Sequence, residues 1–451
     1  MKKLSYILLA LGLTATSCKK FVTIDNAPNS LSASDTYAAD GTATSAVVAL
    51  YSYYATTYTL QYYTWTSELL GDDIQYRYYS STPLMAEYQN GNVTSTNSNV
   101  RNYQWYYPYY IIAQANSAID GLTKSTTLTS SVRNQLLGEC YFMRAFHFFY
   151  LNNFFGGVPL SLDPVALNNA NLARSSKADV YAQIISDLKT AEDLLPGTYT
   201  GTLHARVNKY AVEALLARVY LYQKDYANAV TYATKVISAS DVTYSLSTLS
   251  TTFKNSSTET ILQFATYYGY SSFSYRASSA TTLPSYYLYD SFMNQFEAGD
   301  NRKSAWTDSL VSGGITYRRV NKYKLGTATA GDEYNVVLRL AEQYLIRAEA
   351  NAQLNNTGEA QSDLNAIRNR AGLGNTTAAT KDDLLTAIAQ ERRIELFGEF
   401  GHRWFDLVRT GQADAVLSKV KSTWVPRDTL MPVPYQEILN NKALTQNPGY
   451  E

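Results

Sequence analysis

Apolar and polar positions recur with a helical spacing in several separate blocks of the chain. Tyr109, Ile112, Ala113, Asn116 and Ile119 fall at i, i+3, i+4, i+7 and i+10, and Val180, Ile184, Leu188, Ala191 and Leu195 step by three or four ahead of a stop at Pro196-Gly197. Asp40 stands where a helix running through Ala43, Ala46, Val47 and Leu50 needs a cap. Two stretches break the period: residues 65–100 and 238–329 are rich in Tyr, Ser, Thr and Gly. They are expected to be long irregular excursions, the kind of segment in which a rigid scaffold displays binding residues.

Two of the helical blocks share an internal spacing. Ala217 and Ala229 lie 12 residues apart, and the same gap separates Ala348 from Ala360. The pattern is similar to the tetratricopeptide repeat, in which small residues let two antiparallel helices approach closely. Helical patterns over 135–155 and 179–195 supply the further pairs that a stack requires. The expected fold is mainly α: a tetratricopeptide-like scaffold of helical hairpins carrying long irregular ligand-binding loops.

The start of the chain reads differently. Met1-Lys2-Lys3 is followed by an apolar run from Leu4 to Leu13, then by Thr14-Ala15-Thr16-Ser17 and Cys18. The run is too short to span a bilayer and has the layout of an export signal. A Cys directly after small residues resembles the bacterial lipobox, in which that Cys becomes the first residue and carries acyl chains. Residues 1–17 are thus expected to be a lipoprotein signal peptide, 18–40 a lipidated tether containing Pro28, and 41–451 the folded domain. Lipidation of Cys18 leaves Cys140 without a disulfide partner.

Charge narrows the classes of ligand. The chain of 451 residues balances 38 Lys and Arg against 38 Asp and Glu, which leaves no basic excess for nucleic acid. Three scattered His build no zinc site, and no cofactor is expected. Hydrolase and nucleotide-binding signatures are missing. Two acidic pairs stand out, Asp72-Asp73 and Glu391/Glu395. The second lies in 391–409, where arginines accompany nearly every acid, so it reads as an internal ion-pair network. His147 and Cys140 read as buried core residues.

The 40 Tyr are the unusual number. Trp65, Asp72, Asp73, Tyr76, Arg77, Tyr78 and Tyr79 fall within 15 positions, and Tyr267, Tyr268, Tyr270, Tyr275, Tyr286, Tyr287 and Tyr289 gather in the second excursion. Sugar rings present C–H faces to aromatic planes and hydroxyls to short polar groups, so such loops suit saccharides. The competing reading is that individual tyrosines merely close the loops onto the scaffold.

Longer motifs point to a family. Arg144-Ala145-Phe146-His147-Phe148-Phe149-Tyr150-Leu151, Phe154-Phe155-Gly156-Gly157-Val158-Pro159-Leu160 and Arg339-Leu340-Ala341-Glu342-Gln343-Tyr344-Leu345-Ile346-Arg347-Ala348-Glu349-Ala350 occur in that order. They are followed by 391–409, Met431-Pro432-Val433-Pro434 and Gln446-Asn447-Pro448-Gly449-Tyr450. The set resembles the SusD/RagB-like nutrient-binding outer-membrane lipoproteins. The resemblance implies a non-enzymatic lipoprotein, facing outward from the outer membrane, that captures oligosaccharide and delivers it to a SusC-like TonB-dependent transporter. The aromatic position of the starch-binding archetype falls on Tyr78, where it has Trp, and a nearby Asn falls on Ser81; later aromatics fall near Tyr268 and Tyr286. Lys19-Lys20 follow the Cys where surface-export signals of this class often carry acidic residues.

The candidate ligand set is Trp65, Asp72, Asp73, Tyr76, Arg77, Tyr78, Ser81, Tyr268 and Tyr286, with Cys18 for lipidation. The residues leave the nutrient open, since some relatives take peptides. A glycan-cleaving enzyme using Asp72 or Asp73 is the second reading, and a pure protein-interaction scaffold the third.

Overall fold

A computed structural model describes residues 32–56, 59–78, 80–267, 269–277, 283–326 and 331–450. The expected signal peptide, Cys18, most of the tether, Tyr79 and Tyr268 lie outside the described residues.

Helices build the body. They are α1 (Asp40–Thr56), α2 (Thr59–Leu70), α3 (Pro83–Asn90), α4 (Tyr107–Lys124), α5 (Ser130–Phe155), α6 (Lys177–Leu194), α7 (Lys209–Tyr222), α8 (Tyr226–Ile237), α9 (Leu340–Gln353), α10 (Thr357–Arg370), α11 (Lys381–Leu396) and α12 (His402–Arg409). Successive helices pack as hairpins, α4 on α5, α5 on α6, α7 on α8 and α9 on α10, and α8 also packs on α9 across a long separation in sequence. The expected tetratricopeptide-like scaffold is the one observed. Ala217, Ala229, Ala348 and Ala360, the residues of the 12-residue gap, are all fully buried, as close helix approach requires.

Side-chain caps set several starts. Ser176 accepts from the Asp179 N–H before α6, Asn208 from Ala211 before α7, Asp225 from Asn228 before α8, and Thr380 from Asp383 before α11. Asp40 does not act in this way. It is the first residue of α1, and its Oδ1 accepts a 2.9 Å bond from the Thr129 N–H, tying α1 to the start of α5.

The two excursions are more ordered than their composition predicts. Residues 65–100 contain the end of α2, strand β1 (Ile74–Tyr76) and α3. In α2 the polar Thr64, Thr66, Ser67 and Glu68 are buried along with the apolar residues, so no polar face marks the helix. The second excursion holds β2 (Thr260–Phe264), β3 (Tyr286–Leu288), β4 (Thr307–Ser312) and β5 (Ile315–Val320), with β6 (Asn335–Arg339) just beyond it. Strands β1, β3, β5 and β4 form one antiparallel sheet in that order, and β2 pairs with β6 in a second. All five residues of β2 are buried, which removes the alternation by which a strand is recognised.

Residues 391–409 bind the sheets to the helices through buried ion pairs. Glu395 accepts from Arg339 on β6 at 2.6 Å, from Arg302 at 2.9 Å and from Arg370 on α10. Glu399 pairs with Arg339 at 2.8 Å and with Lys322 at 2.5 Å. Burial opposes ionisation of Glu395, but Arg370, Arg339 and Arg302 outweigh it and hold its carboxyl well below the ordinary range. The segment is the internal network its arginine-rich sequence predicts. His147 is also a core residue: its Nε2 and Nδ1 lie 2.9 and 3.0 Å from the hydroxyls of Tyr54 and Tyr63, and burial drives its pKa down to about 3. Cys140 is a buried free thiol.

Candidate functional site

The turn Gly71-Asp72-Asp73 carries the chain from α2 into β1, and arginines fix both acids. Asp72 accepts from Arg403 on α12 at 2.7 and 3.0 Å and from Arg393 on α11 at 2.9 Å. Asp73 accepts from Arg393 at 2.9 and 2.6 Å, and its carbonyl receives the Tyr289 N–H at 3.0 Å. For Asp72, burial raises the pKa, but the Arg403 and Arg393 guanidinium groups outweigh it and hold the carboxyl below its ordinary value. For Asp73, burial dominates and the carboxyl is raised. Both acids therefore belong to the framework beneath the site, which corrects the expectation that they meet ligand: Asp73 is fully buried and Asp72 is committed to two arginines.

Trp65 is likewise interior. It is 2% exposed, packs in α2 and stacks on Tyr286 of β3 with centroids 4.9 Å apart and planes at 14°. Tyr286 is buried too, held in β3 opposite Tyr76 of β1. From this pair the aromatic contacts continue outward. Tyr286 lies 5.1 Å from Tyr76, and Tyr76 lies 5.9 Å from Tyr78, which is 40% exposed. Trp65, Tyr286, Tyr76 and Tyr78 thus form one run of rings from core to surface.

Arg77 fixes the outer end. Its Cζ sits 3.9 Å from the Tyr78 ring centroid, its Nη2 donates to the Tyr78 hydroxyl, and its Nε donates to the Pro284 carbonyl at 2.8 Å. Its backbone N–H reaches the Ser285 carbonyl at 2.8 Å, which extends the β1–β3 pairing by a residue. Ser81 is exposed and donates from both its N–H and its hydroxyl to the Tyr78 carbonyl, at 3.0 and 3.2 Å. The structure therefore gathers Tyr76, Arg77, Tyr78 and Ser81 at one edge of the sheet, with Tyr286 and Trp65 behind them.

Sequence reasoning missed two supports. Gln89 of α3 accepts the Tyr76 N–H through its Oε1 at 2.6 Å, and Tyr317 of β5 meets Tyr287 edge-on at 5.2 Å. Both lie inside the Tyr-, Ser- and Thr-rich excursions but outside the two densest tyrosine clusters, so composition does not single them out. Chemically, the edge offers a flat ring, a guanidinium and hydroxyls on a braced backbone.

A cavity of about 530 Å3 lies elsewhere, with Arg392, Arg393, Arg403 and Arg409 in its lining. Those guanidinium groups are already paired with Asp406, Glu349, Asp72 and Asp73, and uncharged residues such as Leu385, Ala389 and Val416 complete the lining.

Comparison with known proteins places these features in context. The pattern of the SusD family matches residues 215–450, more than half of the chain, and a second pattern, described as starch-binding associating with outer membrane, matches residues 28–221. SusD-like protein P38 of Formosa agariphila is 27% identical over 429 residues, covering 80% of this chain and 82% of its own. The starch-binding protein SusD of Bacteroides thetaiotaomicron is 29% identical over 173 residues, 34% of this chain and 29% of that protein. Among solved structures, a laminarin binding SusD-like protein superposes with a TM-score of 0.76 at 26% identity, over 90% of this chain and 99% of that one.

Proposed function

The chain belongs to the SusD family, and from that premise we propose that it is an outer-membrane lipoprotein, anchored through Cys18 and facing outward, that binds oligosaccharide and delivers it to a SusC-like TonB-dependent transporter. The observation that carries the reading is the run of rings ending at the exposed face of Tyr78, with Arg77 locked over it. A sugar laid on that ring contributes C–H contacts and buried area, while Arg77, Ser81 and the tyrosine hydroxyls meet its own hydroxyls. Because the ring is braced from behind, little side-chain freedom is lost on binding. Tyr268 belongs to the proposed contact set through the family resemblance. That one relative is laminarin binding and another is a starch-binding protein supports a polysaccharide as the ligand.

Cleavage of glycan by Asp72 or Asp73 is disfavoured. A general acid must reach the substrate, whereas Asp73 is sealed inside and Asp72 is bound by two arginines.

Affinity electrophoresis of the mature protein in gels containing laminarin, soluble starch or other neutral polysaccharides tests the proposal. At least one polymer is expected to retard the protein, Tyr78→Ala to weaken that binding by about tenfold with an unchanged melting midpoint, and Tyr78→Trp to keep it. Full binding by Tyr78→Ala removes the site from the proposal, and new reducing ends in the retarding polymer would restore the enzymatic reading.

A further inference from the structure

Residues 100–110 read Val-Arg-Asn-Tyr-Gln-Trp-Tyr-Tyr-Pro-Tyr-Tyr. Val100–Tyr106 winds as a π-helix running into α4, closed by the Tyr107 N–H donating back to the Asn102 carbonyl. Such turns take an extra residue, are rare, and concentrate at functional sites. Here the widened turn lines up a band of rings. Tyr62 of α2 stacks on Tyr103 at 3.9 Å and 9°, Tyr103 lies 5.9 Å from Tyr107, and Tyr107 meets Tyr106 edge-on at 5.4 Å. Tyr106 lies 6.4 Å from Tyr110, which meets Tyr53 of α1 at 5.1 Å with the two hydroxyls 2.6 Å apart.

At the middle of this band Tyr106 is 49% exposed, and a shallow hollow lies on each side of it. One, of about 230 Å3, is bordered by Arg101 and Asn102. The other, of about 220 Å3, has Trp105 and Tyr109 in its lining with Glu437, Asn440 and Asn441 at its polar side. A 2.8 Å ion pair between Arg101 and Glu437 links the two. A protein partner that buries an aromatic anchor surrounds it with groups that exclude water. The neighbours of Tyr106 mix rings and small apolar groups, Pro159, Ala170 and Leu444 among them, with amides, hydroxyls and a paired charge, and that mixture of flat faces and short polar groups suits a sugar.

We propose that this band is a second oligosaccharide-contact surface, with a sugar ring resting on Tyr106 and its hydroxyls met by Asn102 and Asn440. It shares no residue with the Tyr78 site, and it rests on the glycan-binding reading only for the class of ligand. Two surfaces on one protein hold a long polymer more tightly than a short oligosaccharide, through raised effective concentration.

The same gels, cast with laminarin, soluble starch and other neutral polysaccharides, test it. For the polymer that retards the protein, Tyr106→Ala and Asn102→Ala are each expected to weaken binding, the former by about tenfold, Tyr106→Phe to preserve it, and Tyr106→Ala/Tyr78→Ala to bind more weakly than either single variant. A melting midpoint equal to that of the unmodified protein shows that the fold is intact. If Tyr78→Ala weakens binding while Tyr106→Ala and Asn102→Ala do not, the second surface is overturned and the first reading stands. If no polymer retards the unmodified protein, both fall together.

Discussion

Glu68 lies fully buried in α2, close to Asp73. Burial first, and the charge of Asp73 second, push its pKa well above the ordinary carboxylate value. A carboxyl whose folded pKa exceeds its unfolded one contributes stability that is complete below the unfolded pKa and lost as pH rises through the folded one. Glu68→Gln keeps the shape and removes the titration, so it is expected to raise stability by about 1–3 kcal/mol at pH 7 and to change little at pH 4. Urea midpoints at the two pH values check this; equal effects at both would show that Glu68 does not resist ionisation. At the same scale, His147 was legible as a core residue because aromatics surround it in sequence. The burial of Trp65 was not, since an indole among polar neighbours reads equally well as a ligand platform. Asp72 and Asp73 were misread for a further reason: their arginine partners lie more than 300 residues away, and nothing local announces a pair closed by folding.

In the 26-residue helix α5, Gly138 marks a close approach rather than a break. A Cβ built there would stand 2.5 Å from the Leu195 Cγ just after α6, so the missing side chain is what seats α6 against α5. Helix propensity alone favours Ala at this position by about 1 kcal/mol. Overpacking is expected to reverse the sign, giving Gly138→Ala a net loss of about 1–2 kcal/mol. Thermal or urea unfolding of the variant checks it, and a gain in stability would mean that Leu195 yields freely. The hairpins themselves were readable from their helical spacing and, in two of them, from the small residues Ala217, Ala229, Ala348 and Ala360. Three-residue strands such as β1 and β3 were not, because a period of two needs more positions to show itself. The Tyr106 band was hidden for a related reason: a π-helical turn shifts the phase, so rings that share an edge in space do not share one on an α-helical projection.

Across the whole molecule, Glu395 joins parts that are far apart in sequence: Arg302 before β4, Arg339 on β6 and Arg370 on α10. Glu395→Gln leaves these guanidinium groups short of a buried counter-charge and is expected to cost about 3–5 kcal/mol. Guanidinium chloride titration measures this. Loss of a single cooperative transition would show that the sheets and helices unfold separately without it, whereas a loss below 1 kcal/mol would mean that Glu259 and Glu399 suffice. Breaking this tie reaches the candidate site only through the framework, since Tyr78 itself touches none of these residues. The row of rings leading inward from Tyr78 has its own consequence. A guest lying on the outermost ring leans on the folded interior rather than on a yielding loop, so local loosening offers no way to let it go. On the proposed function, hand-over is then favoured by a rival surface that grips the same cargo harder or is brought closer to it.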